Sequence, residues 1–283
     1  MPKPIDLLHL GSPHVIASYL LEGDEPALVD CGPAVCVAAL EAGLEQRGVR
    51  LTDVRHLLLT HIHPDHAGAA GALVARHPVL QVHVHEIGAP HLVDPERLDR
   101  SARRLYGEEF DRLFGPIDPV PEDNVHVLGN RVLGLDVIPT PGHASHHVAF
   151  FDEAGACYAG DVLGGMLPPG RFLYPAAAPP EVDLEAWDAS LDAIEARRPT
   201  RLLLAHFGEV PDALAHVARM RERLREWGSW VESGLPVEEF VRRAEAQLDA
   251  EAGPERDLYR QLPSFELTYA GIRRYFDKRA NRA

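Results

Sequence analysis

The chain has 283 residues, with 43 acidic side chains against 28 basic ones and a formal net charge of −15; that charge repels polyanions and argues against a general nucleic-acid or anionic-membrane role. Hydrophobic residues make up 46% and charged residues 25%, with 23 glycines and 24 prolines, which fits a globular chain and excludes a disordered, collagenous or coiled-coil one. No apolar run approaches the ~20 residues of a membrane span, and the first ten residues lack a basic region followed by an apolar one, so a cytoplasmic location is expected.

In chain order, residues 15–21 and 26–29 are short apolar runs separated by the turn-like Glu22-Gly23-Asp24-Glu25 and read as a hairpin. Residues 33–47 have helical apolar spacing and stop at Gly48; residues 54–59 are a continuous apolar run suited to a buried strand. A small-residue helix follows over 67–76, and 80–85 alternates like a strand, giving a layered α/β order. Residues 87–122 turn irregular and charged, with helical pieces over 97–113 and a Pro-punctuated exit at Pro116, Pro119 and Pro121, and read as a helical insertion. Strands resume at 125–128, 132–138, 148–151 and 156–159, followed by a long loop, 163–180, a helix over 184–197 and a strand over 201–205. Beyond residue 211 the signal is helical only, over 213–230, 236–250, 255–262 and 265–279. Leu214, Val217, Leu224, Trp227 and Val231 recur at three- and four-residue spacings, so one face can dock.

Only Lys3 and Lys278 are lysines, which excludes Schiff-base and P-loop chemistry from the chain body. Cys31, Cys36 and Cys157 are too few and scattered for a disulfide framework or a Cys-based zinc site, and read as small buried apolar residues. Sixteen histidines are many for this length, and imidazole is both the commonest metal ligand and a general base. They cluster. Residues 60–66, Thr-His-Ile-His-Pro-Asp-His, lie between the apolar strand and the small-residue helix, so that His61 and His63 point the same way and the turn brings Asp65 and His66 beside them. Pro64 suits a helix start, and Asp65 lies where a helix N-terminus favours a carboxylate. Three more ligand-type residues follow strands: His143 after Thr140-Pro141-Gly142, Asp161 after Gly160, and His206 after residues 202–205. His83 and His85 share one strand face, which solvation explains.

This set resembles the metallo-β-lactamase superfamily: T-H-x-H-x-D-H at residues 60–66, Pro141-Gly142-His143, Gly160-Asp161 and a strand-closing His206, in the family's order, over about residues 10–210. Asp30, followed by Cys31-Gly32, matches the family's first, non-ligand aspartate. The resemblance implies a four-layer αβ/βα sandwich over residues 1–210, with the insertion at about 87–122 and a C-terminal helical region, 211–283, packed on it. Carried over residue by residue, it places one metal on His61, His63 and His143 and a second on Asp65, His66 and His206, with Asp161 bridging.

Five neutral imidazoles and two carboxylates suit zinc, and iron or manganese tolerate the same set. Two dications, less the charges of Asp65, Asp161 and a bridging hydroxide, leave about +1 locally; such a pair brings the pKa of its water towards ~7 and clamps an oxyanion. Hydrolysis is therefore the expected chemistry, with the hydroxide attacking and Asp65 and Asp161 as the participating carboxylates. Asp30, Thr60 and His147 are expected behind the ligands; Asp30 accepts the second imidazole proton that a ligating histidine needs to place. His147 matches a histidine of the hydroxyacylglutathione hydrolase branch four residues after Pro-Gly-His. Met166, Phe172, Tyr174 and Phe207 are expected to form an apolar mouth for a small substrate. The expected substrate is a small ester, thioester or lactone, without nucleic acid or membrane, and a homodimer is left open. Two other readings stay open, a mononuclear-iron persulfide dioxygenase on the same scaffold and a regulatory effector with incidental hydrolysis.

Overall fold

Continuous apolar runs bounded by turns form strands covered on both faces, and those at the N-terminal sheet do so: the adjacent pairs Leu28 and Val29, and Leu57 and Leu58, are all buried. In the computed structural model, which describes residues 3–281, the chain divides into two compact units, residues 1–138 and 139–283. Each is a mixed sheet flanked by helices, so the α/β class holds.

In the first unit, β1 (Pro4–Asp6), β2 (Ala17–Leu21), β3 (Ala27–Val29), β4 (His56–Leu58), β5 (Gln81–Val84) and β6 (Val125–Val127) lie side by side in that order. β1, β2 and β3 pair antiparallel, and β3 to β6 pair parallel. Parallel neighbours need crossovers. These are α1 (Val37–Glu45), then α2 (Pro64–Ala67) with α3 (Ala70–Arg76), then the insertion with α4 (Ala89–Val93), α5 (Glu96–Tyr106) and α6 (Phe110–Leu113). Val29 is in register with Leu58, and Leu58 with His83. The residues that follow β3 and β4 therefore leave at one edge of the sheet, the carboxyl edge where α/β folds place their chemistry.

Several expectations shift. The helix expected from residue 67 starts at Pro64, whose fixed φ suits the first helical position. The helices of the insertion begin at Ala89 and not at residue 97, and end at Leu113 as expected, around a small core of Ala102, Phe110 and Phe114. The strand expected over 132–138 is a hairpin of β7 (Arg131–Val132) and β8 (Leu135–Pro139), because Leu133 and Gly134 take φ of 46° and 82°, the double positive turn that joins short antiparallel strands. β1 escapes sequence reading because it is three residues long and opens on a proline.

In the second unit, β9 (Val148–Phe151), β10 (Ala156–Gly160), β11 (Arg201–Leu204) and β12 (Gly208–Val210) have the spatial order β12–β11–β10–β9, with β10 and β11 parallel and joined through α7 (Leu184–Ala196). α8 (Ala213–Glu232) packs on α7, and α9 (Val237–Glu251) and α10 (Phe265–Ala280) pack on α8. The stretch expected as a helix at 255–262 is a 3-10 segment, Gly253–Gln261. On α8 the buried stripe is Val217, Met220, Leu224, Trp227 and Val231; Leu214 is instead 45% exposed, because the first turn turns Ala213 and His216 inward. Among the described residues no helix is long and apolar enough to cross a membrane.

The loop after β10 is tied to these helices. Gly165 and Tyr174 exchange backbone hydrogen bonds of 2.9 and 2.8 Å, and the Tyr174 hydroxyl donates to Pro263 O at 2.6 Å. Tyr259 Oη accepts from Leu167 N–H at 2.9 Å and donates to Phe172 O at 2.7 Å. At Gly271 on α10 an added Cβ would lie 1.9 Å from Ala177 O. Alanine there gains at most about 1 kcal/mol of helix propensity, whereas overpacking a rigid contact costs about 1–3 kcal/mol. Gly271→Ala is therefore expected to destabilise the protein, seen as a lower urea midpoint at unchanged m-value.

Candidate metal centre

The first unit supplies four candidate ligands from one turn. Residues 59–63 continue β4 in extended form, and Pro64 starts α2, which swings Asp65 and His66 back beside His61. His61 Nε2 and His63 Nδ1 are 3.0 Å apart, the His61 and His66 ring centres are 4.0 Å apart, and Asp65 Oδ2 lies 3.8 Å from His66 Nε2. Asp30, at the end of β3, holds this turn. Its φ is 55°, a left-handed value that aspartate tolerates better than most residues, and its carboxylate accepts from Thr60 N–H (2.8 Å), Thr60 Oγ1–H (2.8 Å) and His66 Nδ1–H (2.9 Å). Having donated to Asp30, the Thr60 hydroxyl accepts from His61 Nδ1–H at 3.1 Å. Both protons are thus held on Nδ1, and the Nε2 lone pairs of His61 and His66 are turned towards His63 and Asp65, the other candidate ligands of this turn.

The second unit carries three further candidate ligands. Gly142 turns the chain from β8 toward β9 with φ of 134°, and a Cβ there would lie 2.4 Å from Trp187 Cα, so only glycine admits this approach. His143 Nδ1–H donates to Ala176 O at 2.5 Å, which directs Nε2 to Asp161 Oδ2 at 3.5 Å; Asp161 Oδ1 lies 3.4 Å from His206 Nε2. These three side chains are almost completely buried. Separations of 3.4–3.5 Å are long for a charge-assisted hydrogen bond and suit donor atoms that share an ion.

The backbone around Asp161 is held at three points. Asp161 N–H donates to His147 Nε2 at 3.0 Å, which leaves His147 Nδ1–H to donate to Thr140 Oγ1 at 2.8 Å. The Trp187 indole N–H donates to Val162 O at 2.7 Å, and His216 Nε2–H to Leu163 O at 2.9 Å. Trp187 and His216 escaped sequence reading; the only signal was their place on the buried faces of α7 and α8. Burial, aided by the nearby Arg219 charge, pushes the His216 imidazole down to about 4. Of the four residues expected at an apolar mouth, Phe172 and Tyr174 are buried among Trp227 and Phe265. Met166 and Phe207 are half-buried and have surface to offer a substrate.

The donor set fits divalent metal ions: imidazoles with fixed tautomers and carboxylates buried beside them are the ligands that zinc, iron and manganese accept. Residues 11–206 match the profile of the metallo-beta-lactamase superfamily. The chain is 27% identical over 167 residues to the probable metallo-hydrolase YqjP of Bacillus subtilis, covering 51% of each. It is 31% identical over 137 residues to a hydroxyacylglutathione hydrolase of Alkalilimnicola ehrlichii, covering 48% of this chain and 41% of that one. It spans about half the length of the curated relatives it matches. Among solved structures, the metallo-beta-lactamase family protein TTHA1429 of Thermus thermophilus is similar over 94% of this chain and 89% of its own, at 25% identity and a TM-score of 0.63. TTHA1623, solved in a di-iron-bound form, is 30% identical over 72% of this chain and 93% of its own, with a TM-score of 0.54.

Two outcomes are expected from these contacts. Asp30→Asn removes an acceptor from the Thr60 and His66 network and should weaken metal binding about 10–100-fold in equilibrium dialysis, the range for partners of ligating histidines. His216 is neutral when folded and binds its proton only near pH 4, whereas the unfolded chain binds one near pH 6.5. Its contribution is therefore present above pH 6.5 and lost as pH falls towards 4, by about 3 kcal/mol at most. Denaturant titrations should show wild type losing more stability than His216→Gln between those pH values.

Proposed function

The chain belongs to the metallo-β-lactamase superfamily, and from that premise we propose that it is a metal-dependent hydrolase of a small ester, thioester or lactone. Two divalent ions, zinc by ligand chemistry, would be held by His61, His63 and His143 and by Asp65, His66 and His206, with Asp161 shared. The observation that carries this reading is the Asp161 carboxylate, which presents one oxygen to His143 Nε2 and the other to His206 Nε2, the disposition of a bridging ligand. When bound, the metal pair supplies Lewis acidity and water with a pKa of about 7.

The chain's own residues do the rest. Asp30 and Thr60 fix which imidazole nitrogens carry protons. His147, Trp187 and His216 hold the backbone from Asp161 to Leu163, so the shared carboxylate does not swing during turnover. Asp65 is the more exposed of the two carboxylates, at 21% of its side chain against 4% for Asp161, and is placed to take the proton of an attacking water. The two carboxylates offset half the charge of two dications, so the site favours a developing oxyanion although the chain as a whole is at −15. Half-buried Met166 and Phe207 supply apolar contact for the substrate. The hydroxyacylglutathione hydrolase relatives favour a thioester among the three classes. Buried free thiols at Cys31, Cys36 and Cys157 suit a reducing compartment such as the cytoplasm.

The test combines metal analysis with a substrate panel of thioesters, lactones, β-lactams and phosphodiesters. Two ions per chain are expected, with turnover of a thioester or lactone that Asp161→Ala abolishes. His61→Ala and His143→Ala should each lose one ion, and the double variant should lose no more than one, since both residues serve the same ion. One iron per chain with oxygen uptake on a persulfide, or turnover untouched by Asp161→Ala, overturns the reading.

A further inference from the structure

Three histidines outside the candidate centre lie in a row across three neighbouring strands. His83 on β5 is in register with His126 on β6, with ring centres 5.3 Å apart and planes tilted by 30°. On its other side the His56 ring of β4 is 5.2 Å away. His56 Nδ1 and His83 Nε2 are 3.0 Å apart. His83 therefore faces His56 and not His85, the neighbour that shares its strand face, so solvation alone does not account for it. His56 is 8% exposed; its Nε2 has no hydrogen-bond partner and lies 3.6 Å from Glu25 Oε2. His126 Nε2 is likewise buried without a hydrogen-bond partner.

This arrangement repeats two features of the candidate centre. The first is a pair of imidazole nitrogens 3.0 Å apart, as in His61 and His63; ligands bound at about 2.0–2.1 Å to one ion have neighbouring nitrogens about 2.8–3.4 Å apart, from square to tetrahedral angles. The second is a carboxylate near the far nitrogen of the ring: Glu25 Oε2 lies 3.6 Å from His56 Nε2 on an exposed side chain, within a small rotation of the hydrogen bond that orients a metal-bound imidazole. We propose that His56, His83 and His126 form an auxiliary site for a divalent transition-metal ion, with His56 and His83 as the placed pair and His126 joining by side-chain rotation. The ion replaces the proton that the pair otherwise shares and ties β4, β5 and β6 together. Burial and its two imidazole neighbours hold His83 down at about 4, which keeps it in the neutral, ligating form. Imidazole ligands select copper, nickel or zinc over magnesium or calcium.

The proposal is independent of the hydrolase reading and is tested on the full chain loaded with zinc and then dialysed until only tightly held zinc remains, which leaves the auxiliary site free to take up copper. Copper(II) is added while released zinc is measured, and the bound copper is read by electron paramagnetic resonance. Wild type is expected to take one copper per chain without releasing zinc, with a spectrum of at least two equatorial nitrogen ligands, and His83→Gln to bind it at least 10-fold more weakly. Copper uptake matched by zinc release, a spectrum with one nitrogen ligand or none, or equal uptake by His83→Gln overturns the proposal. If His83→Gln fails to fold, the wild-type spectrum and zinc balance decide alone.

Discussion

The constraint on which the candidate centre depends is that a ligating imidazole must present a lone pair, and a buried imidazole does so only when its other nitrogen has an acceptor for its proton. In the first unit one side chain settles this for two rings. Asp30 accepts a hydrogen bond from His66 Nδ1–H directly and, through the Thr60 hydroxyl, fixes the proton of His61 on its Nδ1. The left-handed φ of Asp30 belongs to the same arrangement: strain of order 1–3 kcal/mol is tolerable where the carboxylate gains three hydrogen bonds in a buried setting, each about 1.5–3 kcal/mol when a charge is involved.

The second unit meets the same constraint with backbone groups. Ala176 O fixes the His143 tautomer, and the loop that carries Ala176 is anchored by Tyr174 and Tyr259 to the C-terminal helices. The helices after residue 211 thus hold the loop whose Ala176 carbonyl meets His143. Trp227 is their hub, with the rings of Phe172, Tyr174, Phe240 and Phe265 all 5.3–6.4 Å from its own. The C-terminal region acts on the site by fixing a loop, through Thr268, Pro263, Tyr259 and His216.

The histidines divide by what their second nitrogen meets. His9 and His77 bond to the carbonyls of Leu113 and Val54 at 2.8 and 2.9 Å and serve the fold. His147 and His216 hold the backbone beside Asp161. His61, His66 and His143 pair Nδ1 with an acceptor and turn Nε2 towards another imidazole or a carboxylate. The row of His56, His83 and His126 differs from these: its rings meet one another across neighbouring strands.

The sequence by itself determined the α/β class, the turn at residues 60–66 and the identity of the strand-end residues His143, Asp161 and His206. Each rests on a local signal: an apolar run, a proline that starts a helix, a polar residue where a strand stops. It also singled out Asp30, Thr60 and His147, because the order of short motifs resembles a known family. What it could not determine were features set by contacts between residues far apart in the chain. Strands of three residues, β1 and β12, exist because neighbours pair with them. Leu133 and Gly134 break an apolar run because the hairpin demands two positive φ values. His216 bonds to Leu163, Trp187 to Val162, and His56 faces His83 only once parallel strands are in register. Spacing along a chain shows which side chains share a face of one element, and only the tertiary structure decides which atoms of different elements come within 3 Å.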